Sequence, residues 1–262
     1  MGHPSVVLVQ TMFRTRFAGD IVCEFLPPSR KVTRQRVIVL CDGMPSIPRK
    51  QGLAEFLAGK GYWVFYPRYR GAWESGGEFL ARSPHEDILD VIAGLGREFR
   101  EVTFGRRFRV AFDGVFVIGG SFGGAAALLC SLDARVKRVV ANCPVVDWGI
   151  LRSSEKAETS NPSYAAYIRE AWGNGYRLSA RNWAKLRGGK FFNPAFHAGE
   201  ITASKVMMFH AKDDPFVPWR SVKRFADSTG AKLKSFKHGG HLSTDVIVRN
   251  HWDQIRRFFE RE

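Results

Sequence analysis

The stretch from residue 115 to residue 132 constrains the fold of this chain more than any other. It begins with an apolar, β-branched run, Val115 to Gly119, and ends with small and apolar residues, Ala125 to Leu132. The first pattern predicts a buried strand and the second a helix. Between them the chain reads Gly119-Gly120-Ser121-Phe122-Gly123-Gly124, so the turn from strand to helix is short and rich in glycine. A buried strand that passes directly into a helix is typical of a parallel sheet covered by helices.

Apolar runs alternate with segments of helical period along most of the chain, which predicts an α/β fold with a mostly parallel sheet. Eight runs are predicted to be strands: Val6 to Gln10, Ile21 to Phe25, Val37 to Cys41, Tyr62 to Tyr66, Val115 to Gly119, Val139 to Asn142, Val206 to His210 and Lys232 to Phe236. Eight strands are enough for a sheet that helices cover on both faces.

Three more segments are predicted to be helices: Arg49 to Lys60, Pro84 to Phe99 and about Thr244 to Phe259. Each has an apolar stripe at helical spacing, and the second has Ser83 as its N-cap and Pro84 at its first position. Residues 147 to 200 lack a strand pattern and hold nine aromatic side chains. We predict that this segment is a mostly helical insertion, a cap over the sheet, within a single domain of residues 1 to 262.

Composition excludes several classes of protein. With 45% hydrophobic residues the chain can bury a large core, which excludes a disordered protein. Its apolar runs are far shorter than the roughly 20 residues of a membrane-spanning helix. The net charge of +15 predicts attraction to anionic partners, but the basic residues are spread over both halves of the chain. Four cysteines without paired spacing predict free thiols, and the N-terminal residues do not resemble an export signal, so we expect a cytoplasmic protein.

The turn at Ser121 carries the clearest chemical signal. The pattern G-x-S-x-G between a strand and a helix places a serine hydroxyl on a tight turn beside a helix N-terminus. Such a serine needs a base that accepts its proton and an acid that orients the base. Asp213 and Asp214 follow the seventh predicted strand, and His238 and His241 follow the eighth. The residues themselves leave open which aspartate and which histidine take part.

Attack on an acyl carbonyl creates an oxyanion, which needs two N–H donors. The N–H of Phe122, next to the serine, is one candidate donor. The loop Cys41-Asp42-Gly43-Met44-Pro45 follows the third predicted strand and offers the N–H of Met44 as the second. We expect neither a cofactor nor a metal ion, since this chemistry requires none.

Four motifs of the chain resemble the catalytic domain of the prolyl oligopeptidase family, within the α/β-hydrolase superfamily. They are Pro67-Arg68-Tyr69-Arg70-Gly71, Gly119 to Gly124, Pro144-Val145-Val146-Asp147-Trp148 and His210 to Pro218. The resemblance implies an α/β-hydrolase fold with Ser121 as nucleophile, Asp214 as the acid and His241 as the base.

The sequence also departs from that family in two places. Only about 35 residues precede the third predicted strand, so we expect no β-propeller ahead of the hydrolase domain. Asp42 stands where several members carry a Tyr or His, and the Tyr hydroxyl helps to hold the oxyanion. An ionised carboxylate cannot donate a hydrogen bond there and would oppose the negative charge, which predicts weak proteolysis and favours more reactive esters.

We therefore predict a serine hydrolase of carboxylic esters, acting on a small-molecule substrate. An alternative is a short-peptide hydrolase of the aminopeptidase or acyl-peptide type, with acidic residues of the insertion gripping the peptide terminus: Glu155, Glu158, Glu170 and Glu200. A less favoured alternative is a basic binding protein for nucleic acid, because Arg97 to Val110 mixes five arginines with three phenylalanines. Such a binding role leaves the order of Ser, Asp and His unexplained, and the sequence fixes no oligomeric state.

Overall fold

The computed structural model describes residues 12–149, 162–187 and 189–261. Eight strands form one sheet in the order β1-β2-β4-β3-β7-β8-β9-β10. Their bounds are β1 Phe13–Phe17, β2 Ile21–Leu26, β3 Gln35–Cys41, β4 Tyr62–Pro67, β7 Phe112–Gly120, β8 Val136–Asn142, β9 Val206–Ala211 and β10 Lys232–Phe236. Strands β1, β2 and β4 pair antiparallel, and every other pair in the sheet is parallel. The predicted α/β-hydrolase fold with a mostly parallel eight-stranded sheet is confirmed.

The first strand of the sheet was not among the predicted ones. The predicted strand Val6 to Gln10 lies outside the described residues, and within the described part of the chain the first strand of the sheet is Phe13–Phe17. In that strand Phe and Thr alternate with Arg14 and Arg16, so one side faces the core while the other carries charge. Two arginines in five residues hide the apolar run that predicts a strand, although the alternation itself fits an edge strand.

Eight helices lie between or after these strands in the described ranges. Their bounds are α1 Gln51–Gly59, α2 Pro84–Leu95, α3 Phe122–Cys130, α4 Pro162–Trp172, α5 Ala180–Ala184, α6 Trp219–Thr229, α7 Thr244–Asn250 and α8 Trp252–Phe259. Short 3₁₀ helices occupy Gly173–Gly175, Lys185–Arg187, Pro194–Glu200 and Ala203–Lys205. None of the helices in the described part of the chain has the length and apolar character needed to cross a membrane.

Two predicted helices differ from the structure, because one ends earlier than predicted and the other is divided into two. The helix predicted for Pro84 to Phe99 stops at Leu95, because Gly96 caps it and Phe99–Arg100 (β5) pairs with Arg107–Phe108 (β6) in a small antiparallel hairpin. The segment predicted as one helix from Thr244 to Phe259 is two helices, since the backbone of His251 leaves helical geometry at ψ 20°. An apolar stripe continues across both breaks, so periodicity alone could not show them.

The sheet separates two apolar cores. Alternate residues of β3 point to opposite faces, so Val37 and Val39 join the core under α2, α3 and α6. Ile38 and Leu40 join the other core, which α1 and α8 cover. Helices therefore cover both faces of the sheet, as the continuous apolar runs predicted.

Part of the predicted insertion packs against the loop that follows β4. The N–H of Trp73 donates to Gly175 O, and two further backbone bonds link Gly71 and Phe79 to Arg177 at 2.7 and 2.8 Å. The Arg177 guanidinium also donates to the Trp73 carbonyl at 2.9 Å. Residues 175–178 are thereby tied to the body of the molecule, whereas the role of residues 147–200 as a cap stays a prediction.

Candidate active site

The predicted nucleophile lies on a strained turn between β7 and α3. Ser121 has φ 56° and ψ −120°, a conformation that side chains other than glycine rarely adopt. The turn is also crowded, because a Cβ on Gly119 would clash with the Gly123 carbonyl and a Cβ on Gly123 would clash with the carbonyls of Cys41 and Asp42. Glycine at both positions lets strand, helix and the neighbouring loop approach closely enough to present the serine at the carboxyl end of the sheet.

Asn142, the last residue of β8, joins the serine turn to the loop that carries His241. Its carbonyl accepts the Ser121 N–H at 2.9 Å, and its side-chain amide donates to Leu242 O at 2.6 Å. Asn142 thus connects the backbone of Ser121 to Leu242, the residue next to His241, through two hydrogen bonds. Within the described ranges the Ser121 hydroxyl donates no hydrogen bond, and catalytic hydrogen bonds often tighten only when substrate binds.

Asp214 and His241 meet directly. Nδ1 of His241 lies 2.9 Å from Oδ2 of Asp214, whose side chain is fully buried while a quarter of the His241 side chain is exposed. Oδ1 of Asp214 accepts the N–H groups of Phe216 and Val217 at 2.9 and 3.0 Å. Burial alone would raise the pKa of this carboxyl, but the His241 and N–H hydrogen bonds outweigh burial and hold the pKa below its ordinary value. An ionised Asp214 can only accept, so it fixes the proton of His241 on Nδ1.

The neighbouring aspartate and histidine do different work. Asp213 accepts the N–H groups of Gly239 and Gly240 at 3.2 and 2.9 Å, so it shapes the turn just before His241. His238 lies 3.6 Å from Asp213 and its side chain is 76% exposed. The structure thus brings together the pair that the family resemblance implied and turns the alternative pair toward solvent.

Buried polar groups pack behind Asp214. The Cys143 thiol and the His210 imidazole lie with the Asp214 carboxylate so that their polar atoms are all within 4.8 Å of one another. Nε2 of His210 is 3.0 Å from the Val217 carbonyl, which fixes the loop after β9. Burial, followed by the charge of Asp214, raises the pKa of the Cys143 thiol to about 12, so the thiol stays neutral beside the carboxylate. His210 thus supports the loop that carries Asp214.

The loop after β3 lies beside the serine, as an oxyanion-binding loop must. A Cβ placed on Gly43 would be only 3.9 Å from Cβ of Ser121. The Gly43 N–H is already used, since it donates to Oδ1 of Asp42 at 3.0 Å. The N–H groups of Met44 and Phe122 have no acceptor among residues 12–149, 162–187 and 189–261. Unpaired N–H groups at these two positions fit the predicted oxyanion site.

The carboxylate of Asp42 is folded away within this loop. Its Oδ2 accepts the hydroxyls of Tyr66 at 2.6 Å and Ser46 at 2.5 Å, and the Lys50 ammonium lies 3.9 Å from Oδ1. Ser46 in turn donates its N–H to the hydroxyl of Tyr176 at 3.0 Å. Asp42 therefore organises the loop through three hydrogen bonds. From the sequence we expected only that its charge would repel the oxyanion, and we did not predict this structural role.

Sequence reasoning missed three residues that shape the site: Asn142, Tyr66 and Phe216. The Phe216 ring stands edge-on to His241, with centroids 5.4 Å apart, although half of Phe216 is exposed. Asn142 and Tyr66 lie near the ends of apolar runs that predict buried strands. The signal that could have identified them is a single polar residue within such a run. A buried polar side chain needs a partner, and here the partners are the site's own loops.

Comparison with known proteins places the chain in a family. The profile of the Alpha/beta hydrolase family matches residues 48–255. The chain belongs to the alpha/beta hydrolase family. Membership of this family makes it a hydrolase. Among curated proteins no match is found.

Solved structures share the fold at low sequence identity. Est1E from Butyrivibrio proteoclasticus, in a structure with ferulic acid bound, is 15% identical with a TM-score of 0.69, over 95% of this chain and 99% of that one. Acetyl xylan esterase 1 from Thermoanaerobacterium sp. is 17% identical with a TM-score of 0.65, over 98% and 86%. Acylaminoacyl peptidase from Pyrococcus horikoshii is 18% identical with a TM-score of 0.65, over 97% of this chain but only 42% of the peptidase chain. This chain thus spans less than half of the peptidase's length.

Proposed function

We propose that this protein is a serine hydrolase that cleaves carboxylic esters through an acyl-enzyme on Ser121. The observation that carries the proposal is the hydrogen bond between Asp214 and His241. Asn142 joins the loop of His241 to the strained turn of Ser121. The three side chains follow the ends of β7, β9 and β10, at the carboxyl edge of the sheet where α/β proteins bind their ligands.

In the first half of the reaction Oγ of Ser121 attacks the acyl carbonyl while Nε2 of His241 accepts its proton. Asp214 stabilises the resulting imidazolium, which then gives the proton to the departing alkoxide and releases an alcohol. In the second half water attacks the acyl-enzyme, His241 accepts the water proton, and the carboxylic acid leaves as Oγ regains its proton. Phe122 and Met44 donate their N–H groups to the oxyanion in both halves.

Two observations favour an ester over a peptide as substrate. Position 42 holds a carboxylate whose oxygens accept hydrogen bonds, so this position supplies no donor to the oxyanion. Among the acidic residues considered for gripping a peptide terminus, Glu200 is 65% exposed and lies 2.9 Å from His197, so its carboxylate already has a partner at the surface. Esters are more reactive than amides and need less help from the site.

The direct test is hydrolysis of p-nitrophenyl acetate by the intact protein and by Ser121→Ala. We expect the variant to lose activity by about a thousandfold or more, and a fluorophosphonate probe to label Ser121 in the parent protein alone. Turnover of a peptide amide at a rate comparable with the ester would favour the short-peptide alternative.

A matched pair of histidine variants provides the control. His241→Gln removes the base and should reduce turnover as strongly as the loss of the serine, whereas His238→Gln changes an exposed side chain of the same loop and should leave turnover unchanged. Equal activity of the parent protein and Ser121→Ala would disprove the proposed function.

A further inference from the structure

The amino ends of the parallel strands, opposite the proposed active site, carry a groove rich in positive charge. It has a volume of about 660 Å³ and lies where β3, β7 and β8 begin. Its cationic side chains are Arg34, Arg36, Lys137, Arg138, Lys205 and Arg261. Only two carboxylates, those of Asp113 and Glu260, line it as well. The proposed function uses none of these residues.

A second groove of about 580 Å³ continues the first past Arg34 and Arg36 to the start of β4. It adds four cations, Arg30, Lys31, Lys60 and Arg256, and it shares the carboxylate of Glu260. The joined surface, which we call the basic groove, therefore holds ten cations and two carboxylates. It carries eight of the fifteen net positive charges of the chain.

The two carboxylates of the basic groove cannot neutralise it. Asp113 is shared between Arg34 at 4.0 Å and Lys137 at 3.8 Å, and these three side chains are more than half exposed. Glu260 is likewise shared between two arginines, at 2.8 and 3.3 Å. Burial and then the charge of Arg261 lower the pKa of Arg138, which shows like charges held close together. Such repulsion costs stability unless an anion occupies the surface.

The cations form a row rather than a cup. Lys60 precedes β4, Arg36 is the second residue of β3, Lys137 is the second residue of β8, and Lys205 precedes β9. The sheet order between these strands is β4-β3-β7-β8-β9, so the row crosses four strand intervals, about 19 Å at about 4.8 Å each. A row of this length fits several units of a linear polyanion better than a single small anion.

We propose that the basic groove binds the phosphodiester backbone of a nucleic acid strand. Nucleic-acid interfaces are strongly positive and polar, whereas protein partners need apolar or aromatic anchors at the centre of the interface. In the described ranges, the large apolar side chains that are exposed all lie outside the basic groove. Its aromatic residues, Tyr62, Phe116 and Phe259, are buried in the floor and offer no ring for base stacking. Contact is therefore through phosphates and independent of base sequence.

A membrane surface fits less well, because the groove is concave and none of the large apolar side chains that are exposed in the described ranges lines it for insertion between lipids. The arginine-rich hairpin β5–β6 also fits less well than the groove. There Arg107 pairs with Glu98 at 3.1 Å, and Arg106 stacks on the rings of Phe13 and Phe104. The hairpin arginines do not line the basic groove and therefore serve as controls.

The test is fluorescence anisotropy of a labelled oligonucleotide of about 20 thymidines, titrated with the intact protein from about 50 to 200 mM salt. With about four phosphates contacted, log K should fall with log salt at a slope of about −3. The variant Arg34→Gln, Lys137→Gln, Arg261→Gln should bind at least about tenfold more weakly. Its ester turnover and thermal unfolding should match those of the parent protein.

The control variant Arg97→Gln, Arg100→Gln, Arg107→Gln removes the same charge from the hairpin and the segment just before it, and should keep most of the affinity. Equal loss of binding in both variants would overturn the assignment to the groove, as would the absence of any binding at low salt. Tighter binding to poly-L-glutamate or to phosphatidylserine vesicles than to the oligonucleotide would assign the groove to another partner and overturn the proposal as well. None of these outcomes depends on whether Ser121 is a nucleophile.

Discussion

At the scale of single residues, the site depends on a few buried polar side chains that hold loops rather than on the reacting groups alone. Asp42 holds the loop after β3 through its carboxylate, and Asn142 holds the loop of His241 through its amide. Unsatisfied polar groups in a buried site are costly, so each of these contacts fixes the position of a loop. The two residues can be tested separately.

Asp42→Asn distinguishes two opposite roles of this carboxylate. If Asp42 chiefly opposed the oxyanion, removal of its charge would raise kcat. We expect kcat to fall by about tenfold instead, because an amide has a single acceptor oxygen where the carboxylate now accepts three hydrogen bonds. Steady-state ester hydrolysis measures the change, and Lys50→Gln, which leaves these hydrogen bonds in place, should alter kcat little.

Asn142→Ala should lower kcat by several-fold and leave KM nearly unchanged. The carbonyl of residue 142 still accepts the Ser121 N–H, but Leu242 O loses its donor and the His241 loop loses its tie to the serine turn. The free energy of unfolding should fall by about 1 kcal/mol. A variant that loses stability and keeps full kcat would show that Asn142 serves the fold alone.

At the scale of elements, helix α2 begins with a partly buried titratable group. His85 follows Pro84 in the first turn, and its Nδ1 lies 2.8 Å from the Ser83 hydroxyl. Burial lowers the pKa of His85 to about 4, so the folded protein keeps the ring neutral where an unfolded chain would protonate it. Ser83 stands at the predicted N-cap position, but its hydroxyl faces His85 instead of capping a backbone N–H.

The His85 pKa predicts a stability loss on the acid side. The contribution of neutral His85 is complete above about pH 6.5 and is lost as the pH falls toward about 4, because the unfolded chain binds the extra proton in that window. The loss is about 3 kcal/mol over the whole window. Urea unfolding followed by tryptophan fluorescence should show a shallower decline between these pH values for His85→Gln. An identical pH dependence of the two proteins would contradict a neutral His85 in the folded protein.

At the scale of the whole molecule, the sequence predicted the α/β-hydrolase fold because the parallel strands are buried on both faces and therefore read as continuous apolar runs. It failed at Phe13–Phe17, where arginines alternate with the core residues, and at the breaks after Leu95 and at His251, where the apolar stripe continues. The positions of the loops could not be predicted, since Asp42 is held by Tyr66, 24 residues away, and Asn142 bonds Leu242, 100 residues away.

The tie between Tyr176 and Ser46 has a consequence for protein engineering. The Tyr176 hydroxyl accepts the Ser46 N–H at 3.0 Å and contacts the Ser46 carbonyl at 3.3 Å, and the Trp73 indole N–H donates to that carbonyl at 3.0 Å. Both side chains therefore hold the backbone of the loop after β3. A chimera that exchanges residues 147–200 for the corresponding piece of another hydrolase, in order to change substrate range, would also remove this brace. Such grafts should therefore retain the tyrosine hydroxyl at position 176. A graft without it should lose turnover even where its substrate selectivity changes as intended.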